Sequence, residues 1–506
     1  MIAAIWNQRL ITAVERARLA HNVFCAYNAN IDAKEYINAQ KIHVAFLKDP
    51  ELVEKVRAAV KNPPDEIRSP ADFLAGLYLS MKEGKSLQWE IREKNREMLE
   101  WFDEYFENPD EMRMGGQTGI IANLLSILGV ESIVYLPLLS KRQAEIFRKE
   151  RIFVPVNKND IADFVPIQQA FRPNDDTKIN WVFEFREGGK FPVPIEDNKI
   201  IVAPRTNRFI VASRPPGLIP VCDSEIEKIL PQIGARVDRV IISGYQHLQE
   251  HYPDGKTCTD YLDLITKHLL MLKSKNHALR IHMEFAGIPN EHIRRDILLK
   301  ISPQINSLGL NEVEILMALK ILECEDEIEL IKANENSYTL YLGTLRMAEL
   351  LGLERIHLHN LGYHVLYLDK CYPTSAYAAR NALLYASNIG ATRALMGDFY
   401  SRKPVNYEIE IGKTVSISYT GLKQLELFAD KMLKEGIKFN KDKFMDEGIL
   451  EFDKHYVIIA PAQIAPYPQS TVGIGDSVSA AAFVADEARD PHGEKEHCVS
   501  PETEHF

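Results

Sequence analysis

The sequence predicts an α/β protein with a large, doubly wound and mainly parallel sheet, covered at one edge by a smaller α/β lid domain. Three observations support this prediction. From about residue 235 onward, apolar strand-like segments alternate with helix-periodic ones. Glycine-rich turns lead directly into helix-like segments at Met114–Ile120 and Ser470–Ser479. Residues 152–221 instead alternate short strand-like pieces with Pro and Gly turns, which is typical of hairpins.

Hydrophobic periodicity predicts the elements in chain order. An amphipathic helix is expected over residues 5–20, and residues 44–107 are charged and helix-periodic. Helices are expected between most of the predicted strands, so the carboxyl ends of parallel strands would share one ligand-binding edge. The predicted strands are Val23–Tyr27, Ile133–Pro137, Asn180–Phe185, Arg208–Ala212, Arg239–Ser243, Leu279–Phe285, Ile305–Leu310, Arg355–His359, Ala394–Met396 and Val457–Ile459.

These patterns divide the chain into two domains and a tail. The large domain is expected to comprise residues 1–20, 111–172 and 217–486, and the smaller lid domain residues 21–110 and 173–216. Residues 487–506 are polar and unpatterned, so we expect a mobile tail there.

The composition limits the classes of function. A chain of 506 residues with a net charge of −11 is an unfavourable partner for nucleic acid or an acidic membrane surface. Its six cysteines form no CxxC pair, which favours reduced thiols over a disulfide or zinc framework. The N-terminal segment lacks the features of a signal peptide, and no apolar stretch predicts a membrane span. We therefore expect a soluble cytoplasmic protein that binds small molecules.

The Gly473–Asp476 turn is the strongest candidate for a reaction centre. A glycine turn that opens a helix leaves backbone N–H groups free to bind an anion, and the helix dipole adds to the attraction. A carboxylate would repel a bound phosphate, but Asp476 could accept a proton from a hydroxyl that attacks the phosphoryl group. Alone, the pattern is more typical of an ordinary helix N-terminus with an acidic first turn.

Two further carboxylates follow predicted strands. Glu284 ends the strand that contains His282, and Glu314 follows Asn311 after another strand. Carboxylates in these positions can hold Mg²⁺ directly or through water, and Mg²⁺ commonly accompanies nucleotide phosphates. The alternative is that each is a solvated loop acid or a helix cap.

Seven motifs, taken together, resemble the ADP-dependent sugar kinases of archaea, the phosphofructokinase/glucokinase family within the ribokinase-like superfamily. They occur in the family's order and cover nearly the whole chain apart from the tail. The motifs are Asn28-Ala-Asn-Ile-Asp32, Gly115-Gly-Gln-Thr-Gly119, Thr206-Asn-Arg-Phe209, His282-Met-Glu-Phe-Ala286, Asn311-Glu-Val-Glu314, His359-Asn-Leu-Gly-Tyr363 and Gly473-Ile-Gly-Asp476.

The resemblance implies the catalytic residues. Asp476 matches the base that deprotonates the sugar hydroxyl. The backbone of Gly473, Ile474 and Gly475 would form the anion hole for the transferred phosphoryl group. With ADP as the donor, the β-phosphoryl group moves and AMP leaves.

The resemblance also implies residues that hold MgADP. Glu284 and Glu314 match the acids that organise Mg²⁺. Arg208 matches an arginine expected near the ADP phosphates, where a forked cation suits spreading negative charge. His359 and Tyr363 lie in the stretch associated with the adenosine.

The sugar is expected to bind at the matching positions Asn30, Asp32, Gly115, Gly116 and Gln117, which lie in two of the motifs. These residues do not by themselves decide between a sugar and a sugar phosphate.

A sugar phosphate requires additional cations. Lys178, Arg205 and Arg214 lie in the predicted hairpin insertion and could supply them, or could equally be solvated surface residues. The resulting hypothesis is an ADP-dependent 6-phosphofructokinase, with glucose as a second candidate acceptor. The alternatives are an ADP-dependent glucokinase, an ATP-dependent sugar kinase of the same superfamily, and a catalytically silent sugar or nucleotide binder.

Three other patterns suggest different chemistry. His247–His251 fits the HxxEH pattern of zinc peptidases, but Tyr252-Pro-Asp-Gly255 would end any helix there. His357, His359 and His364 could suggest a metal, although core or nucleotide-contacting histidines explain them better. Gly412-Lys-Thr414 imitates the end of a P-loop, but position 407 is Tyr where that motif needs Gly.

Overall fold

The computed structural model describes residues 2–41, 50–64, 66–193, 195, 200–288, 290–397, 414–470 and 472–486. Its strands are β1 (Asn22–Ala26), β2 (Asn30–Tyr36), β3 (Leu87–Arg92), β4 (Glu111–Gly115), β5 (Glu131–Tyr135), β6 (Ile152–Lys158), β7 (Ile161–Pro166), β8 (Ile179–Phe185), β9 (Lys190–Pro192), β10 (Ile200–Val202), β11 (Asn207–Arg214), β12 (Arg239–Ile242), β13 (Arg280–Glu284), β14 (Ser307–Leu310), β15 (Arg355–Asn360), β16 (Tyr363–Asp369), β17 (Ile449–Glu451) and β18 (His455–Pro461).

The α-helices are α1 (Ile2–Arg16), α2 (Pro50–Lys61), α3 (Pro70–Glu83), α4 (Arg96–Tyr105), α5 (Gln117–Ile127), α6 (Lys141–Ile146), α7 (Ser224–Arg236), α8 (Cys258–Lys273), α9 (Glu291–Ile301), α10 (Glu312–Ile321), α11 (Glu325–Ala333), α12 (Ser337–Leu351), α13 (Ala376–Met396), α14 (Tyr419–Lys434), α15 (Lys441–Glu447) and α16 (Ile474–Ala485).

Among the described residues, eleven strands form the larger sheet, in the order β17-β18-β16-β15-β14-β13-β12-β1-β5-β6-β7. The strands from β15 to β6 in that order run parallel to one another. The pairs at the two sides, β15–β16, β16–β18, β17–β18 and β6–β7, are antiparallel. This arrangement confirms the predicted mainly parallel sheet.

Helices cover both faces of the larger sheet. One face packs on a cluster that includes Trp6 of α1 and Leu262 of α8. The other face packs on a cluster that includes Leu125 of α5 and Phe483 of α16. The parallel strands of this sheet are buried on both faces, so each is an almost continuous apolar run. Such runs are recognisable in the sequence. The fold is therefore doubly wound, as predicted.

The smaller sheet has the order β3-β11-β8-β2-β4 and two different faces. Side chains alternate along each strand, so Trp181, Phe183 and Phe209 point into an aromatic core against helices α2 to α4. Asp32 and Asn180 occupy the intervening positions, which leaves the opposite face polar. That polar face carries most of the residues predicted to bind sugar.

Strand pairing corrects the expected membership of two segments. Strand β1 lies within the larger sheet between β5 and β12, although residues 21–110 were assigned to the lid. Strand β4 pairs with β2 in the smaller sheet, although residues 111–172 were assigned to the large domain. A buried parallel strand and an antiparallel edge strand both read as short apolar runs, so sequence alone did not separate them.

One predicted strand is wrong. Ala394–Met396 forms the last turn of helix α13, which is buried along nearly all of its length. A helix buried on all sides loses the polar face that makes its period visible. Strand β3 was also missed, because it lies within the segment expected to be helical.

Other features bear on the remaining expectations. The five described cysteines, Cys25, Cys222, Cys258, Cys324 and Cys371, are all free thiols. No helix in the described ranges is long and apolar enough to cross a bilayer. The expected tail at 487–506, and Gly412 and Lys413 of the P-loop-like pattern, lie outside the described residues.

Candidate active site

Asp476 lies in the first turn of helix α16, directly after a glycine turn. Gly473 adopts a φ of 68°, the left-handed region that glycine enters without strain. A side chain at Gly473 would also approach Ile120 of α5 to 2.7 Å. Burial and, next, the charge of Glu284 raise the pKa of Asp476 to about 7, although Arg393 and His359 oppose the rise. Asp476 is therefore suited to accept a proton near neutral pH.

Glu284 sits at the carboxyl end of β13 between two histidines. Its Oε1 lies 3.1 Å from Nε2 of His359, and its Oε2 lies 3.2 Å from Nε2 of His282. Burial alone would raise the pKa of Glu284, but the hydrogen bonds from His282 and His359 lower it to about 2. The group is therefore a permanent negative charge next to Asp476.

Glu314 is held by a capping box at the start of helix α10. Asn311 accepts the backbone N–H of Glu314 at 3.0 Å, and the Glu314 carboxylate accepts the N–H of Asn311 at 2.9 Å. This reciprocal pair satisfies two donors at the helix N-terminus. Burial, followed by the charge of Glu284, raises the pKa of Glu314 to about 8. The structure therefore contains the helix cap that this motif allows, and it places the capping carboxylate within the electrostatic influence of Glu284.

Three acidic side chains, Glu284, Glu314 and Asp476, thus raise the electrostatic cost of ionising one another. A divalent cation would relieve that repulsion, so this set of oxygen donors fits Mg²⁺. In the described part of the chain, however, no three His, Cys, Asp or Glu side chains are arranged to hold a metal ion by themselves. Water and nucleotide oxygens would have to complete its coordination.

The polar face of the smaller sheet centres on Asp32. Its Oδ1 accepts hydrogen bonds from Asn30 at 2.7 Å and from Asn180 at 3.4 Å. Gly115 lies opposite Asn30 on β4, and a side chain there would overlap both Asn30 and Asp32. Burial raises the pKa of Asp32, against the influence of Asn30 and Lys178.

Two cations adjoin this face. Lys178 is only 2% exposed, and its Nζ donates to Asn180 at 2.8 Å. Burial lowers the pKa of Lys178 well below its usual value, and the charge of Arg214 lowers it further. Arg214 pairs with Glu90 at 2.5 Å and contacts Nδ1 of His247. Neither cation is a solvated surface residue.

The Gly116–Gln117 turn joins this cluster to Asp476. Gly116 has a φ of 74°, and a side chain there would approach the carbonyl oxygen of Asn28 to 2.7 Å. Gln117, the first residue of α5, accepts a hydrogen bond from Asn28 at 2.9 Å. Ile120 follows three residues later and packs beside Gly473. Helix α5 therefore begins two residues after Gly115, which lies against Asn30 and Asp32, and contacts the turn that carries Asp476 through Ile120.

Three predicted site residues lie apart from these contacts or at their margin. Arg205 is exposed and donates to the carbonyl oxygen of Gly84 at 2.7 Å, away from the Asp32 cluster. Arg208, expected near the ADP phosphates, lies on β11, and its positive charge opposes the rise in the pKa of Asp32. Tyr363, the first residue of β16, accepts a hydrogen bond from Asn360 at 3.0 Å. The tight turn between β15 and β16 separates it from His359.

Several residues that contact these clusters carry no corresponding signal in the sequence. His247 belongs only to a pattern like that of zinc peptidases, yet it lies 2.8 Å from Asn28, and burial lowers its pKa well below the usual value. Glu90 and Asn180 gave no motif signal. Arg393 donates to the carbonyl oxygen of Val472 at 3.0 Å from within helix α13, where the sequence predicted no site residue.

Comparison with known proteins identifies the family. The chain belongs to the ADP-specific phosphofructokinase/glucokinase family, whose conserved region matches residues 21–485. It is 36% identical over 491 residues to the ADP-specific phosphofructokinase of Methanosarcina acetivorans, covering 95% of this chain and 96% of that protein.

Solved structures support the same assignment. A reconstructed last common ancestor of ADP-dependent phosphofructokinases from Methanosarcinales superposes with a TM-score of 0.81 at 35% identity, covering 96% of this chain and 97% of the ancestor. An ADP-dependent kinase in complex with fructose 6-phosphate and ADPβS gives 0.78 at 35% identity, with the same coverage of the two chains.

Proposed function

We propose that this protein is an ADP-dependent 6-phosphofructokinase, which converts fructose 6-phosphate and ADP to fructose 1,6-bisphosphate and AMP. The observation that carries the proposal is the position of Asp476. A half-buried carboxylate with a pKa of about 7 stands at an open helix N-terminus, and Ile120 of helix α5 links this turn to the polar, cation-containing face of the smaller sheet. A base, an anion-binding turn and an acceptor pocket are the parts that phosphoryl transfer requires.

In the proposed reaction, Asp476 takes the proton from the 1-hydroxyl of fructose 6-phosphate as that oxygen attacks the β-phosphorus of ADP. The bond between the β-phosphorus and the bridging oxygen breaks, and the electron pair stays on the oxygen of AMP. The backbone N–H groups after Gly473 stabilise the charge on the transferred group, with the helix dipole behind them.

Lys178 and Arg214 are proposed to bind the 6-phosphate. Both lie on the polar side of the smaller sheet, and both are largely buried, so a bound anion would remove their mutual repulsion. Asn30 and Asp32 are proposed to hold the sugar hydroxyls. Arg205, which lies apart from this pocket, is not assigned a role.

The nucleotide is proposed to lie on the Glu284 side of Asp476, where Mg²⁺ would be held by Glu284 and Glu314 together with water and phosphate oxygens. When bound, Mg²⁺ offsets the negative charge of the phosphates. His359 packs against Gly475, with a ring carbon 3.1 Å from the position a side chain would take there. His359 is therefore placed to contact the nucleotide, and Tyr363 to border it.

Initial rates measured with Mg²⁺ over a grid of ADP or ATP against fructose 6-phosphate or glucose would test the proposal. Turnover with ADP and fructose 6-phosphate supports it, and additional turnover with glucose would add the glucokinase activity for which the family is also named. Activity with ATP alone would be consistent with Asp476 as the base but would refute ADP as the phosphoryl donor. Binding of ADP without any turnover would indicate a silent binder.

Asp476→Asn supplies the control for the role of the base. The substitution keeps the shape of the side chain and removes its ability to accept a proton. ADP affinity should stay within about threefold while turnover falls by at least about a hundredfold. Substantial residual turnover would contradict the assignment.

A cytoplasmic location remains the expectation for this protein. The free thiols of the five described cysteines are consistent with it, as is a reaction between two phosphorylated metabolites. Fractionation of cells with an antibody against the chain would test the location.

A further inference from the structure

A buried line of hydrogen bonds runs away from Glu284 beneath the proposed site. His282 places Nε2 against Glu284 and Nδ1 2.8 Å from Oγ of Ser307. Arg355 donates from Nη1 to the same Ser307 oxygen at 2.9 Å. Behind it, Nε of Arg355 forms an ion pair with Asp486 at 3.0 Å, and both side chains are fully buried. Nothing in the proposed reaction uses Arg355 or Asp486 directly.

The direction of the hydrogen bonds is fixed at both ends of this line. Arginine has five N–H donors and no acceptor, so the Ser307 oxygen must accept from Arg355. Among the described residues, the hydroxyl of Ser307 has two hydrogen-bond neighbours, Arg355 and His282. Its own hydrogen therefore points at Nδ1 of His282. That nitrogen must be the unprotonated one, so the ring hydrogen lies on Nε2.

The opposite end demands the same tautomer. The Glu284 carboxylate accepts only, and it faces Nε2 of His282 at 3.2 Å. Ser479 shares that nitrogen at 2.9 Å. Gly309 makes this convergence possible, since a side chain there would overlap both Glu284 and Ser479. A hydrogen on Nδ1 would leave the hydrogen of Ser307 without an acceptor and turn a lone pair toward Glu284.

We propose that Arg355, held by its counter-ion Asp486, is a positioning residue that fixes His282 in the Nε2–H tautomer and thereby orients the Glu284 carboxylate toward the nucleotide. The direction Arg355 to Ser307 to His282 to Glu284 follows from donor and acceptor chemistry. The effect on Mg²⁺ rests on the proposed function, whereas the tautomer does not. Residues that orient a metal ligand in this way typically alter metal affinity by about 10- to 100-fold.

The tautomer can be measured on the full-length protein without metal or substrate. The protein is labelled with ¹⁵N at histidine only, and long-range ¹H–¹⁵N correlations distinguish protonated from unprotonated ring nitrogens. The His282 signal is identified by its loss in His282→Gln. A protonated Nε2 is expected. A protonated Nδ1, or protons on both nitrogens, would overturn the inference whatever the protein catalyses.

Variants test whether Arg355 acts through this line. Arg355→Met removes the donor to Ser307 and should populate the Nδ1–H tautomer and raise the Mg²⁺ concentration for half-maximal rate by about tenfold or more. Arg355→Lys keeps a donor group and should therefore retain much of the Nε2–H tautomer and much of the wild-type response to Mg²⁺. The matched control is Arg239→Met, because Arg239 also pairs with Asp486, at 3.3 Å, through the other carboxylate oxygen.

The control separates positioning from loss of stability. Both arginine substitutions disturb the same buried aspartate and should lower the melting temperature, but only Arg355→Met should change the His282 spectrum. Equal changes in both variants would refute a specific role for Arg355. If Arg355→Met does not fold, Ser307→Ala interrupts the same line at its centre and decides the question. If the wild type shows no kinase activity, the proposed function fails and the tautomer result still stands.

Discussion

Replacing the proposed base should make the folded protein more stable while it abolishes turnover. In the unfolded chain Asp476 ionises near its ordinary pKa of 3.8, whereas in the folded protein burial raises the pKa to about 7. At pH 8 the folded state therefore bears the cost of an ionised carboxylate in a poorly solvated position. One pKa unit corresponds to about 1.36 kcal/mol, which gives about 4 kcal/mol as an upper value.

Asp476 keeps partial contact with solvent, so we expect Asp476→Asn to gain about 2 to 4 kcal/mol at pH 8. The sign follows from linkage, because a carboxyl whose folded pKa is raised destabilises the protein increasingly as pH rises from about 4 to 7. At pH 4.5 the carboxyl is protonated in the folded state but still mostly ionised in the unfolded chain, where its pKa is 3.8. The gain should therefore fall to about 1 kcal/mol there.

Scanning calorimetry of both proteins at pH 8 and pH 4.5 measures the effect. The matched control is Asp486→Asn, at the other end of helix α16, where the aspartate is fully buried between Arg355 and Arg239. Removing that charge leaves buried arginines without their partner and should destabilise by about 3 to 5 kcal/mol. If Asp476→Asn is less stable than the wild type at pH 8, or if its gain is the same at pH 4.5, the reasoning is refuted.

Three other outcomes are expected. In wild-type enzyme kcat/KM should fall about tenfold for each pH unit below about 7, because the base must be ionised, and a flat profile down to pH 5 would contradict this. Gly309→Ala should lower turnover and raise the Mg²⁺ concentration for half-maximal rate by at least tenfold, since the added methyl group would overlap the Glu284 carboxylate. Unchanged kinetics would show that this overlap does not disturb Glu284. Arg214→Met should raise KM for fructose 6-phosphate about tenfold or more but leave KM for ADP nearly unchanged. Arg205→Met, the control at an exposed arginine, should alter neither KM value. An effect equal to that of Arg214→Met would contradict a specific role for Arg214 in binding the 6-phosphate.

Local sequence predicts the backbone geometry around the candidate acidic residues, because that geometry is formed within a few residues of each. The glycine turn before Asp476 and the capping box at Asn311 and Glu314 are each formed within a few residues, so a short pattern predicts them. Strands that are continuously apolar were also found correctly, since burial on both faces leaves a clear signal. The strand predicted at Ala394–Met396 is wrong for the related reason that helix α13 is buried along nearly all of its length and so lacks a solvent-facing stripe.

The sequence by itself determined the family, the doubly wound larger sheet and the glycine turn before Asp476. Only the tertiary structure decided which cations lie beside Asp32 and Asn180, since Lys178 is buried there and Arg205 is exposed although both lie in the same hairpin-rich segment. It also turned His247 from a candidate zinc ligand into a neighbour of Arg214 and Asn28. The physical reason is distance along the chain: these contacts join residues dozens to hundreds of positions apart, and strand order, which local periodicity does not encode, brings them together.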